Sequence, residues 1–216
     1  MKKFPFNNFV NNLEVVRPFG PAIAKVQMPE NLVLKLNDYA DTIISDEKAI
    51  KKLDHGNKLA GNVKQELLVD KKFEYQKYFF NFLKDVASAY IYKVTQAKIT
   101  KFEVINSWII RQFQDEYNPV HYHAGHLSGV GYLKTPNGWG DYIQNNKKKN
   151  QNGKIDFIFG NKAFLSEGNT IAEPKVGDFY MFPNYLFHTV YPFKGNDERR
   201  SVSFNAFIDE NIYNSS

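Results

Sequence analysis

Three of the chain's five histidines, His121, His123 and His126, fall within six positions of the stretch "NPVHYHAGHLSGVGYLKTP" (residues 118–136). Pro119 biases this stretch towards extended backbone, where alternate residues share a side, so His121 and His123 are expected to project together from a strand end. Neutral imidazole is a common ligand of zinc, iron, copper and nickel, and two at this spacing on a β scaffold can share one ion. A firm site needs a third donor from a distant strand. His188, in "FPNYLFHTVYPF", is the obvious candidate. A lone strand histidine is ordinarily a hydrogen-bonded core residue, so it is the combination that carries weight. His126, beyond Ala124-Gly125, is expected in a supporting layer or at the surface, and His55, in "KLDHGNKLAG", in a loop.

A second chemical feature follows His188. In "ERRSVSFNAFI" (198–208) alternation puts Arg199, Ser201, Ser203 and Asn205 on one face and Arg200, Val202, Phe204 and Ala206 on the other. If the polar face is turned inward, Arg199 is a buried guanidinium that demands an anion, and a carboxylate gripped in bidentate fashion beside Ser201 satisfies it. The plainer alternative is a structural Asp or Glu partner, or solvent.

Read in order, His-x-His, the run "LSGVGYLKTP", then "GDFYMFPNYLFHTVYPFKGNDERRSVSFNAFI" with its late His and Arg-x-Ser, the sequence resembles the iron(II)- and 2-oxoglutarate-dependent oxygenases. More narrowly it is similar to a group common in phages and marine bacteria that is labelled prolyl-hydroxylase-like. The resemblance is strong over roughly residues 100 to 209 and weaker over "FGPAIAKVQMP" and the helices. It implies a double-stranded β-helix (jelly roll) in which His121 and His188 ligate Fe(II). Arg199, with Ser201, would bind the far carboxylate of the co-substrate 2-oxoglutarate, whose 2-oxo and C1 carboxylate groups would chelate the iron and leave a position for O2. The reaction implied is hydroxylation of a C–H bond, with a peptidyl side chain such as proline named first on family analogy.

One position departs from that pattern. The family's second ligand is an Asp or Glu two residues after the first His, and here position 123 is His. Three completions are open: His123 ligates, giving a three-histidine site poorer by one negative charge; water takes the place; or a carboxylate such as Asp115, Glu116 or Asp141 comes in from elsewhere. Softer candidates surround these. Tyr132 shares a strand face with Ser128 and Val130 and could hydrogen-bond the co-substrate carboxylate, or be structural. Asn106 and Trp108 alternate along "INSWIIRQ" as cavity or core residues, Gly177-Asp178 reads as a turn into a strand, and Trp139 sits in a Gly-rich loop at the supposed mouth.

The elements needed to position these groups are legible. In "PENLVLKLNDYADTIISD" (29–46), Leu32, Leu36, Tyr39 and Ile43 form a helical stripe. A second helix is expected over about 70 to 95, capped by Asp70, with Tyr75, Phe79, Phe82, Leu83, Val86 and Tyr90 on one face. From about residue 102 the texture turns to short β-branched and aromatic runs punctuated by Gly, Asn and Pro. Six such runs, "FEVINSWIIRQF", "LSGVGYLKT", "KIDFIFG", "KVGDFYMFP", "LFHTVYPF" and "RRSVSFNAFI", predict a mainly β sandwich or jelly roll with helices on one outer face. The simplest division is a single domain over 1–216, with a helical support region at 1–100 and the double-stranded β-helix core at 101–210.

Composition narrows the class without naming a partner. At 216 residues with 43% hydrophobic and 16% aromatic residues, the chain has enough apolar material for one sizeable core. It has no cysteine, which excludes disulfides and thiolate metal sites. With no leader-like or membrane-spanning run, a soluble cytoplasmic protein is the default expectation. The net charge of +5 is scattered, and its densest cluster, "NNKKKNQNGK" (145–154), lacks interleaved aromatic residues, so it reads as a solvated loop rather than a nucleic-acid surface. Two other function classes stand beside the oxygenase: a non-catalytic jelly-roll binding module that keeps a metal, favoured by the missing carboxylate, and a cupin-like three-histidine enzyme that does not use 2-oxoglutarate. Arg199 and Ser201 argue against the first, since a structural metal site needs no second anion clamp.

Overall fold

A computed structural model describes residues 8–17, 20–70, 73–142 and 149–215; part of the lysine-rich stretch 145–154 therefore lies outside the described residues. In chain order the elements are β1 (Glu14–Val16), β2 (Ile23–Gln27), α1 (Glu30–Ile44), α2 (Glu47–Leu53), β3 (Gln65–Leu68), α3 (Gln76–Thr95), β4 (Phe102–Gln112) and β5 (Asn118–His121). They continue with β6 (Leu127–Lys134), β7 (Ile155–Ile158), β8 (Asn169–Ala172), β9 (Asp178–Pro183), β10 (Phe187–Val190), β11 (Arg199–Ile208) and α4 (Glu210–Tyr213). A seven-stranded sheet in the order β1-β2-β9-β6-β11-β4-β3 faces a four-stranded sheet in the order β5-β10-β7-β8. Every pairing is antiparallel. This is the predicted jelly-roll arrangement.

The large sheet is covered on its outer face by helices. Leu32 and Leu36 of α1 and Phe79, Phe82, Leu83 and Val86 of α3 pack on Phe179, Met181, Val202, Phe204 and Ala206 of the sheet. The expected stripe on α1 is the one buried, since spacings of three and four bring those side chains to one side. A second core lies between the sheets, with Val130, Tyr132, Tyr180 and Phe182 on one side and Ile155, Phe157 and Val190 on the other. Each strand of the large sheet thus serves two cores by alternation.

The second long helix begins later than its apolar pattern suggests. It starts at Gln76, with Tyr75 rather than Asp70 at the N-cap. Instead the Asp70 carboxylate accepts a hydrogen bond from Tyr39 of α1 (3.1 Å), and Tyr75 is half exposed while the rest of its stripe is buried. The first hundred residues are also not helical support alone. β2 pairs with β9 and β3 with β4, extending the large sheet at both edges.

Arg200, on the helix side of β11, ties the layers together. Its guanidinium donates to both carboxylate oxygens of Glu198 (2.8 and 3.0 Å), to Asp41 of α1 (2.7 Å) and to the side chain of Asn37 (3.0 Å). Glu198 also accepts from Arg111 Nε (2.8 Å). The buried Arg200 and Glu198 each have opposite partners, among them the exposed Asp41, the condition under which burying charge is tolerable. Among the described residues no helix is long and apolar enough to cross a membrane.

Candidate active site

Between the two sheets, on the inner side, lies a cavity of about 300 Å³ whose lining includes His121, His123, His188, Arg199 and Ser201. Local backbone explains how the histidines get there. β5 pairs with β10 so that His121 stands directly opposite His188, and the register then shifts before Val190 meets Asn118. The extra residue is a bulge, and Pro119, which has no N–H to give to the ladder, falls inside it. Its carbonyl faces His121 Nδ1 at 2.7 Å. His123 follows the strand end, where Asn184 of the β9–β10 turn fixes its backbone: His123 N–H donates to the Asn184 carbonyl (3.0 Å) and the Asn184 amide donates back to the His123 carbonyl (3.1 Å). Gly125, at φ +90°, makes the turn into β6; a Cβ there would lie 2.9 Å from the Ala206 carbonyl oxygen.

The three imidazoles each offer a nitrogen within 4.8 Å of the others, and this is the one such metal-capable group among the described residues. His188 Nδ1 faces the Leu186 carbonyl at 2.9 Å. A carbonyl only accepts, so His121 and His188 must carry their protons on Nδ1, which leaves the Nε2 lone pairs free to bind a cation. His123 Nε2 lies 3.2 Å from His188 Nε2, the separation of neighbouring nitrogen ligands about 2.1 Å from one ion near a right angle. Burial, reinforced by the neighbouring imidazoles, pushes His123 and His188 down to about 3, and burial also lowers His121. All three are neutral near pH 7, the form that ligates metals. The donor set therefore fits a transition-metal ion.

Another part of the cavity wall fits an anion. Arg199 is 2% exposed and spends one hydrogen bond, from Nη1 to Gln112 Oε1 (3.0 Å). Its Nε and Nη2 have no partner, nor do the buried hydroxyls of Ser201 and Tyr132. The guanidinium carbon lies 5.0 Å from the centre of the Tyr132 ring. Each unsatisfied buried donor costs roughly 1–3 kcal/mol, and the four such atoms around this one cationic side chain form a set that a carboxylate would satisfy.

The remaining sequence candidates sort themselves by this cavity. Asn106, Trp108 and Val130 line it, and Trp108 lies 5.8 Å, centre to centre, from the His123 ring. Ser128 is occupied with Asn205 (2.8 Å). None of the three proposed substitute carboxylates lines it: Asp115 is exposed and paired with Lys194, Glu116 accepts from the backbone N–H groups of Lys64 (2.7 Å) and Phe113 (2.9 Å), and Asp141 is exposed. His126 is neither ligand nor surface group. It is buried, stacks on Tyr213 (centroids 3.9 Å apart) and accepts from Ile208 N–H (3.1 Å). Gly177, at φ +87°, makes the expected turn, and Asp178 is paired with Lys25 at 2.8 Å. Trp139 does not reach the mouth; it packs edge-on against Phe193 and over Gly153. Sequence reasoning missed Asn184, Gln112 and Glu66, a buried carboxyl in the cavity wall. None carries a local signal, because each acts through a neighbour distant in sequence.

Comparison with known proteins places this geometry. Residues 106–205, which hold all three histidines and the Arg-x-Ser pair, match the family described as "Putative 2OG-Fe(II) oxygenase". No curated protein matches the sequence significantly. Among solved structures, a Pseudomonas putida prolyl-4-hydroxylase is similar in fold, with TM-score 0.59 and 16% identity, over 85% of this chain and 91% of that one. A viral collagen prolyl hydroxylase from Paramecium bursaria Chlorella virus-1, solved with 2-oxoglutarate, gives TM-score 0.55 and 14% identity over 85% and 94%. A Trichoplax adhaerens prolyl hydroxylase, in complex with a peptide fragment of the hypoxia inducible factor oxygen degradation domain, gives 0.54 and 13% over 95% and 87%. The family match favours the catalytic reading over the binding module. Residues 106–205 thus carry the pattern of the 2OG-Fe(II) oxygenases, whose metal is Fe(II) and whose co-substrates are 2-oxoglutarate and O2.

Proposed function

We propose that His121, His123 and His188 hold the Fe(II), that Arg199 with Ser201 and Tyr132 holds the far carboxylate of 2-oxoglutarate, and that the product is a hydroxylated peptidyl side chain, a prolyl residue being the first to test. The observation that carries the reading is the meeting, in one cavity, of three neutral imidazoles with a guanidinium whose remaining donors are unpaired. The peptide substrate draws its support from the prolyl hydroxylases of similar fold.

When bound, iron with its co-substrates supplies the oxidation: substrate C–H, 2-oxoglutarate and O2 become substrate C–OH, succinate and carbon dioxide. The chain's own residues do the positioning. The carbonyls of Pro119 and Leu186 hold two imidazoles in the ligating tautomer. Arg199 orients the co-substrate by its far end, and Gln112, bonded to Nη1, fixes the plane of the guanidinium. Three imidazoles bring no negative charge to the ion, in contrast to a carboxylate-bearing site, so His123→Asp should strengthen Fe(II) retention.

Anaerobic titration with Fe(II) and then 2-oxoglutarate tests the assignment. A visible charge-transfer band, followed by succinate on admitting O2, is the expected result. His123→Ala should reduce Fe(II) affinity at least about tenfold. Unchanged affinity in that variant would leave two histidines and water around the metal, and metal uptake without band or succinate would sink the co-substrate assignment.

A further inference from the structure

The cavity has a second set of unsatisfied polar atoms, on the opposite chemical footing from the first. Glu66 projects from β3, the edge strand of the large sheet, and is 2% exposed; Asn118 opens β5, the edge strand of the small sheet, and is 8% exposed. Both line the cavity, and Glu66 Oε2 and Asn118 Oδ1 have no hydrogen-bond partner. The two edges meet at a loop that closes the open side of the sandwich, stapled by the paired backbone of Asn62 and Tyr117 (2.9 and 3.2 Å). Gly61 in that loop brings the two groups to one spot. A Cβ on Gly61 would lie 2.7 Å from Asn118 Oδ1 and 3.0 Å from Glu66 Oε1.

A carboxylate and an amide carbonyl both accept hydrogen bonds, so with Glu66 ionised this corner asks for a donor. Among the described residues none supplies it to Glu66 Oε2 or Asn118 Oδ1. Lys58 lines the same cavity, yet among the described residues no cation is ion-paired with Glu66. Burial, with the Asp54 carboxylate close by, raises the Glu66 carboxyl to about 7, as befits an acid whose counter-ion is missing. Glu66 is too far from the histidines to belong to the metal group. It is also not needed to hold the 2-oxoglutarate carboxylate, which it would repel.

Resting on the reading of this cavity as the active site, we infer that Glu66 and Asn118 form the primary-substrate subsite, and that the substrate presents an ammonium or guanidinium group to them. The cavity then has a division of labour: Arg199 on β11 takes the anionic co-substrate, and Glu66 on the edge strand β3, two strands away, takes a cationic substrate. A basic side chain, either the one hydroxylated or one beside it, would donate to Asn118 Oδ1 and to the Glu66 carboxylate and so restore Glu66 to its charged form.

The experiment measures binding by calorimetry on anaerobic protein loaded with Fe(II) and 2-oxoglutarate. The probes are Nα-acetyl-lysine methylamide, its arginine counterpart and the uncharged norleucine counterpart. The basic probes should bind at least about tenfold tighter than norleucine, and Glu66→Gln should abolish that preference. Equal affinity for norleucine and lysine in the unmodified protein would overturn the inference, with no dependence on how the variant folds. A preference that survives Glu66→Gln would also overturn it. Loss of the preference together with loss of 2-oxoglutarate binding would mark Glu66 as a structural prop. Failure of the active-site reading is separately visible, as absence of the charge-transfer band before any probe is added.

Discussion

Arg199 and Arg200 are neighbours in sequence and equally buried, each 2% exposed, yet they live in opposite surroundings. Arg200, turned towards the helices, has Glu198, Asp41 and Asn37 around it and no donor left wanting. Arg199, turned between the sheets, has one neutral amide partner and two idle nitrogens. Burial makes both guanidiniums expensive, and only Arg200 is repaid by the fold. A buried charge that is fully paired holds a structure together, whereas one left half-paired against a cavity is poised for something that arrives later. Strand alternation alone separates the two roles.

Substitutions sharpen the contrast. Arg200→Ala should have the largest effect on folding, lowering the unfolding free energy by about 3 kcal/mol in denaturant titration, because Asp41 loses its partner and Glu198 keeps only Arg111 and distant Lys134. A loss below about 1 kcal/mol would mean that this cluster does not join helix to strand. Arg199→Ala should reverse the pattern: 2-oxoglutarate affinity falls about 100-fold while stability and metal uptake are little changed. Equal co-substrate affinity in that variant removes the role assigned to the residue.

Glu66 tests the same contrast with the opposite charge. Its native pKa of about 7 lies above the 4.5 of a free carboxyl, so the stabilisation is complete below about pH 4.5 and is lost as the pH rises through 7. Glu66→Gln escapes that loss. The variant and the unmodified protein should be about equally stable at pH 4.5, and the variant more stable at pH 8 by up to about 2 kcal/mol. A difference independent of pH would show that the carboxyl finds a partner in the folded chain. Tyr132→Phe should be the mildest change. Among the described residues its hydroxyl has no geometrically formed hydrogen bond, so stability should shift by less than about 1 kcal/mol and 2-oxoglutarate affinity by about fivefold.

What could be read from sequence is what depends on spacing along one element. The stripe Leu32, Leu36, Ile43 and the alternation of Arg199, Ser201 and Ser203 with Val202 and Phe204 are periodic, and the structure buries them accordingly, Ile43 in a small separate cluster with Leu53 and Leu67. The pair His121 and His123 was legible for the same reason. Lost to such reading was whatever depends on a partner far along the chain. β2 and β3 are short, and their strand character comes from β9 and β4 alongside them. Glu66 sits in "VKQELLVD", where a glutamate is unremarkable, and only the loop closing over it makes it a buried acid. Trp139 was misplaced because a Gly-rich loop reads as a rim, whereas Phe193 and Gly153 hold the indole in place.

The facing positions of His121 and His188 on β5 and β10 have a consequence for how such a protein can diverge. Ladder hydrogen bonds fix the spacing of these two rings, so the chain running from one to the other is free to lengthen or shorten at its turns without disturbing the pair. A single-residue insertion within either four-residue strand would instead turn one ring to the opposite side of its sheet. Tolerance to length change should therefore be high in the intervening turns and vanish at the two strands themselves.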